Sequence, residues 1–267
     1  MSDNTPQVRP AAVAGSFYPG DSAQLAATVR GYLDAIPEAD LGPAPKAIIV
    51  PHAGYIYSGP VAATAYARLR RKAGEITRVV LIGPAHTLLL DGMAVPSATG
   101  FATPLGVVPV DRAAISEILS LPGVELNDEA HIREHALEVH LPFLMECLGQ
   151  FSLVPILVGG ARPTDVAKVL DCLWGGPETL IVVSSDLSHY HDYETATKMD
   201  TATTQAIEAL EGSALKQDQA CGSVPIRGLL DLARQKGMSA HVIDQRNSGD
   251  TAGPHDEVVG YGAYVLD

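Results

Sequence analysis

The apolar positions of this chain fall into two kinds of run. Short unbroken ones, "AIIV" at 47–50, "VVLI" at 79–82 and "TLIVVS" at 179–184, show no polar face and predict strands buried on both sides. "FSLVPILVGG" at 151–160 predicts another. Runs with helical spacing lie between them. "DSAQLAATVRGYLDAIPEAD" predicts a helix opened by Asp21 or Ser22 and closed before Pro37. "GPVAATAYARLRRKAG" predicts a second, with Pro60 in its first turn and Gly74 at its end. Further helices are predicted at 111–120, around 135–148, at 163–174, at 194–211 and over "VPIRGLLDLARQKG", ending at Gly237. Residues 92–110 are short β-like pieces broken by Gly and Pro, as in an antiparallel excursion, and "AHVIDQRNS" and "EVVGYGAYVLD" close the sheet. Alternating strands and helices imply an α/β fold: a single domain over 1–267 with a largely parallel or mixed central sheet flanked by helices.

The buried strands end on chemistry. "KAIIVPHAGYIYSG" runs into His52, "RVVLIGPAH" into His86, and "LIVVSSDLSH" through Asp186 to His189. Ligands of open α/β sheets bind outside the carboxyl ends of the strands. If these strands are parallel neighbours, the four side chains emerge along one edge, with Gly54, Gly59 and Gly83 permitting tight turns and Tyr55 and Tyr57 walling a pocket. One histidine after a strand is usually a hydrogen-bonded structural residue. Three such strand ends together point to a site, and neutral imidazoles facing one cleft suit a transition metal.

Composition narrows the class of partner. A net charge of −13 on 267 residues argues against nucleic acid and anionic membrane surfaces. The start "MSDNTPQVRPAAVAG" has no basic segment followed by an apolar one, and no run approaches the roughly 18 apolar residues of a membrane span. Cys147, Cys172 and Cys221 form no disulfide pattern, which favours a reducing compartment and a cytoplasmic location. Cys147 and Cys172 sit in apolar helical patterns and read as core. Cys221, in a Gly-containing turn before a helix, reads by itself as structural first, or, with its thiol pKa lowered by the helix start, as a ligand or nucleophile.

Other constellations compete. "HIREHALEVH" contains an H-x-x-E-H pattern, in which His131 and His135 would share zinc and Glu134 would act as the base of a peptidase. Alternatively His135, Glu138 and His140 reach the strand-edge cleft as groups that support the site or bind substrate. There is no G-x-S-x-G elbow, P-loop or G-x-G-x-x-G after a strand, so acyl-transfer and nucleotide readings lack support.

The ordered blocks "RPAAVAGSFYPGD", "VPHAGYIYSGPVAATAY", "LIGPAHT", "EHALEVHLPFL", "VPILVGG", "SSDLSHY" and "CGSVPIRGLL" make nearly the whole chain resemble the Memo-like family, also called AmmeMemoRadiSam system protein B. That family is similar to the class III extradiol ring-cleaving dioxygenases, which use non-haem iron. The resemblance implies a metal on His52, His86 and Cys221, with His189 as acid/base and Asp186 beside it. It implies Fe(II) first, with Cu or Zn as the alternatives that a soft thiolate admits. A metal-dependent oxidoreductase acting on an unidentified small molecule follows by analogy. The alternative is a non-catalytic metal- or peptide-binding protein linked to a radical-SAM partner.

Overall fold

The computed structural model describes residues 7–267. In chain order the first elements are β1 (Val8–Arg9), α1 (Ser22–Asp34), β2 (Ala47–Val50), α2 (Tyr55–Leu69) and β3 (Arg78–Pro84). Then come β4 (Met93–Val95), β5 (Gly100–Thr103), β6 (Gly106–Pro109), α3 (Arg112–Ile118), β7 (Val124–Leu126), α4 (Asp128–Ile132) and α5 (Leu141–Leu148). The chain continues through β8 (Ser152–Val158), α6 (Pro163–Cys172), β9 (Thr179–Ser184), β10 (His189–His191) and α7 (Tyr193–Glu208). It finishes with α8 (Ser223–Gln235), β11 (Ala240–Asn247) and β12 (Val258–Leu266).

The unbroken apolar runs become the centre of the main sheet because both of their faces are covered. Every residue of β2 and β9 is buried, as is all of β3 after Arg78. Each fully buried Val, Leu or Ile there contributes roughly 1.5–3 kcal/mol relative to exposure. β9 lies between β2 and β3, parallel to both, with Val50 opposite Ser184 and Ile82 opposite Val183. β8 continues the parallel set beyond β3, followed by β4, antiparallel to β8, and β7. On the other flank β12 runs antiparallel to β2 and pairs with both β10 and β11. The sheet is therefore mixed, with a parallel core of four strands. The expected α/β domain with helices on its faces is the observed one.

Details differ where tertiary contacts overrule local signals. The antiparallel excursion over 92–110 divides. β4 joins the main sheet, whereas β5 and β6 form a hairpin that pairs with β1 in a separate three-stranded sheet. α2 opens at Tyr55, earlier than Pro60 signals, because the Tyr55 N–H is tied to the Phe17 carbonyl and its hydroxyl to the Val139 carbonyl. Pro60 thus stands inside the helix and forfeits one bond, to the carbonyl of exposed Ile56. The helix expected around 135–148 is replaced, over its first half, by a loop and a 3-10 turn at Glu138–His140, and α5 begins with Pro142 in its first turn. Asp21 is the N-cap of α1, accepting from the Gln24 N–H. Cys147 is core, as expected. Cys172 is exposed, because it ends α6 off the face on which Val166, Val169 and Leu170 are buried.

Candidate metal centre

The register of the three parallel strands decides what meets at their carboxyl ends. Two residues beyond Val50 comes His52, two beyond Pro84 comes His86, and two beyond Ser184 comes Asp186. β9 needs close neighbours to do this. A Cβ on Gly83 would lie 2.9 Å from the Ser184 Cβ, and one on Gly222 would lie 2.6 Å from the Ser184 carbonyl oxygen. Only glycine lets β3 and the start of α8 approach the end of β9 so closely.

The strand ends open into a cleft of about 580 Å³, within the ordinary range for small-molecule sites. On its floor His52, His86 and His135 each offer one donor atom, all within 4.8 Å of one another. The His86 and His135 rings stack with centroids 4.8 Å apart, and His52 meets both nearly edge-on, at 71° and 83°. His135 comes from the loop after α4 and packs on Phe17, centroids 4.7 Å apart.

Each ring is held from behind. His52 Nδ1 lies 2.6 Å from Ser184 Oγ, and His86 Nδ1 lies 3.0 Å from Glu134 Oε1. The same Glu134 oxygen is 3.3 Å from His135 Nδ1. Glu134 also accepts from the backbone N–H groups of His86, Thr87, His135 and Ala136. Burial alone would raise its carboxyl, but the hydrogen bonds from His86 and Ala136 overcome this and bring it down to about 2. Burial pushes the pKa of His52 well below the ordinary imidazole value, and repulsion from His86 and His135 adds to this. Burial lowers His135 also. Neutral imidazoles clustered with carboxylate or hydroxyl partners behind them are how metal-binding histidines are usually arranged. The cluster could hold a metal ion.

Cys221 is beside the cluster, not within it. Its Sγ is 3.3 Å from His52 Nε2 and accepts from the Asp186 N–H at 3.3 Å. The expected lowering of its thiol pKa is not found. Burial, reinforced by Asp186, pushes the thiol up to about 12. A positive ion would reverse this, since a coordinating thiol is deprotonated outright. Asp186 accepts a hydrogen bond from the His52 backbone N–H at 2.7 Å and makes none with His189. Burial raises its carboxyl pKa against that hydrogen bond. His189 lines the cleft on β10, next to Tyr190, whose φ of 58° is rare for a bulky residue.

Three residues expected to line the cleft or to support it from behind, Tyr55, Glu138 and His140, all lie behind it. Tyr55 is buried against Tyr18 and Phe143, and Tyr57 faces the cleft in its place, since successive helical residues diverge by about 100°. Glu138, wholly buried, is ion-paired with Arg9 and accepts from the Tyr18 hydroxyl and the Ala12 and Val13 N–H groups. His140 is sealed between Tyr66 and Ser184. The H-x-x-E-H pattern fails as a zinc helix. α4 ends at Ile132, and His131 turns away to the Ala94 carbonyl at 3.1 Å. Sequence reasoning placed His135 near the site without seeing that it faces His52 and His86. The signal was Glu134 beside it, one carboxylate serving two imidazoles.

Acid should loosen this structure in a defined window. Burial drops His131 to about 4 and pushes His52 and His140 well below 6.5. These groups are neutral when folded but take up protons when unfolded below pH 6.5, so their stabilisation is full above 6.5 and is lost as pH falls. His131 alone accounts for about 3 kcal/mol by pH 4. Glu134 gives way lower, from 4.5 towards 2. Urea midpoints are expected to fall steadily from pH 6.5 downward; a flat profile to pH 4.5 would contradict the buried neutral histidines.

A model of the family described as Memo-like protein matches residues 9–265. The chain belongs to the Memo-like family. A MEMO1 family protein of Aquifex aeolicus is 39% identical, covering 96% of this chain and 97% of its own. One from Thermotoga maritima is 37% identical over 97% and 99%. The fold also matches an uncharacterized protein of Escherichia coli K12, with TM-score 0.56 at 12% identity, covering 82% of this chain and 98% of that one. The Memo-like family is related to the extradiol dioxygenases, consistent with the sheet and edge cleft described above. Among the described residues no helix is long and apolar enough to cross a membrane.

Proposed function

We propose that this Memo-like protein is a metal-dependent oxidoreductase that acts on a small aromatic or other O₂-reactive compound, using iron held by His52, His86 and Cys221. The observation that carries this reading is the meeting of His52, His86 and His135 in a cleft that also contains an acid/base candidate, His189. Cys221 is assigned to the third position by the family resemblance; the donors that already lie within 4.8 Å of one another are His52, His86 and His135. Cys221 Sγ is 3.3 Å from His52 Nε2, so a thiolate there would stand beside an ion held by the imidazoles. His135 is then within reach as a further donor or as a partner of substrate. Thiolate softness keeps copper and zinc as alternatives to iron.

A bound iron or copper ion would supply one-electron and O₂ chemistry. The chain's own residues do the rest. Phe17, Tyr57, Tyr190 and Tyr261 wall the cleft with rings against which a planar substrate can pack. Asp186 fixes the backbone that carries His52. His189 takes up or returns a substrate proton at its ring nitrogen. Removing such an acid/base commonly costs 10²–10⁴-fold in rate. His189→Ala is therefore expected to reduce oxygen uptake with a catechol panel by at least about 100-fold while leaving metal content unchanged. Equal turnover by the metal-loaded variant would remove His189 from the chemistry.

The second reading is a metal- or peptide-binding protein without turnover, functionally tied to a radical-SAM protein. It is favoured by Tyr190, 73% exposed at the cleft rim and held at positive φ, which presents a ring to a ligand larger than the cleft. Metal binding with no oxygen uptake over the whole panel would select it.

A further inference from the structure

Ser184 closes β9 at the centre of the sheet, wholly buried, and its single hydroxyl touches three groups. The Ala136 carbonyl is 2.6 Å away, His52 Nδ1 2.6 Å and His140 Nε2 2.8 Å. A hydroxyl has one proton to give and two lone pairs to accept with. The carbonyl has no proton, so the Ser184 proton must go there; otherwise two oxygens would face each other at 2.6 Å with nothing between them. Both imidazole nitrogens must then donate to Ser184. That leaves His140 Nδ1 bare, and the Tyr66 hydroxyl, 2.9 Å from it, donates in turn. Burial of His140 keeps it neutral and so limits it to one ring proton.

We propose that Ser184, backed by His140 and Tyr66, is a tautomer lock: it forces the His52 proton onto Nδ1 and leaves the Nε2 lone pair facing the cleft. Ser184 is a positioning residue and touches no substrate. The chain of bonds does not serve as a proton exit. It ends on Tyr66, which is 0% exposed and stacked at 5.1 Å on Phe143. Its hub is held in place by its three partners, the Ala136 carbonyl, His52 and His140. The lock concerns the protein before any ion arrives; its benefit to metal affinity rests on the function proposed above.

The test uses the metal-free full-length chain with ¹⁵N-labelled histidine, read by two-bond ¹⁵N–¹H correlation, beside Zn(II) affinity measured by chelator competition. Wild type is expected to show His52 only as the Nδ1–H form and His140 only as the Nε2–H form. Ser184→Ala is expected to give His52 a mixture of both forms and to weaken Zn(II) binding roughly 10–100-fold, as for other losses of a ligand's hydrogen-bond partner. His52 protonated on Nε2 in wild type would overturn the lock, and so would a Ser184→Ala protein with His52 still purely Nδ1–H. If that variant does not fold, the wild-type tautomers decide alone. The stated tautomers in a wild-type protein that binds no metal would uphold the lock and defeat the functional reading.

Discussion

His52→Ala is expected to lower affinity for Fe(II), Cu(I) and Zn(II) by more than about 100-fold, beyond the 10–100-fold typical of losing only a ligand's hydrogen-bond partner. This size is expected because His52 belongs to the three-imidazole cluster and its Nε2 also lies 3.3 Å from Cys221 Sγ. His86→Ala should match it. Cys221→Ala should weaken Cu(I) most, since the softest ion loses the softest ligand. His135→Ala should cost less than any of these. His131→Ala should leave binding within about twofold, because its ring is spent on the Ala94 carbonyl. Anaerobic loading followed by metal analysis and competition titration reads all five. Unchanged binding in the first three would remove the site.

Glu138→Ala is expected to cost about 3–5 kcal/mol of folding stability, the usual result of breaking a buried ion pair from one side. Glu138 and Arg9 are 0% and 5% exposed, and the loss strands a guanidinium together with the Tyr18 hydroxyl and the Ala12 and Val13 N–H groups. A shift in the urea midpoint corresponding to under about 1 kcal/mol would show that the amino-terminal segment finds other partners. The damage should also reach the cleft, because Phe17, in the segment Glu138 anchors, packs against His135.

The parts of this protein that were readable in advance were those fixed by burial on all sides. The runs at 47–50, 79–82 and 179–184 could only be inner strands, and their ends then named His52, His86, Asp186 and His189 as neighbours. Less legible are the residues whose role depends on a distant partner. Glu138 and His140 carry polar groups that suit a cleft equally well, and only Arg9, 129 residues away, and Ser184, 44 away, draw them inward. His131 and His135 share the spacing of a helix turn, but α4 stops between them. Glu134 claims backbone N–H groups that a continuing helix would have used, and so bends the chain at that point.

The contact between Cys221 and His52 spans 169 residues, and β12, the last strand, brings Tyr261 to the same cleft. Contacts so remote in sequence make for slow folding. The three imidazoles and Glu134 are all present by residue 135, but Ser184 behind His52, Cys221 beside it and Tyr261 on the cleft wall arrive only later in the chain. An ion held there would thus report that β9 has taken its place between β2 and β3.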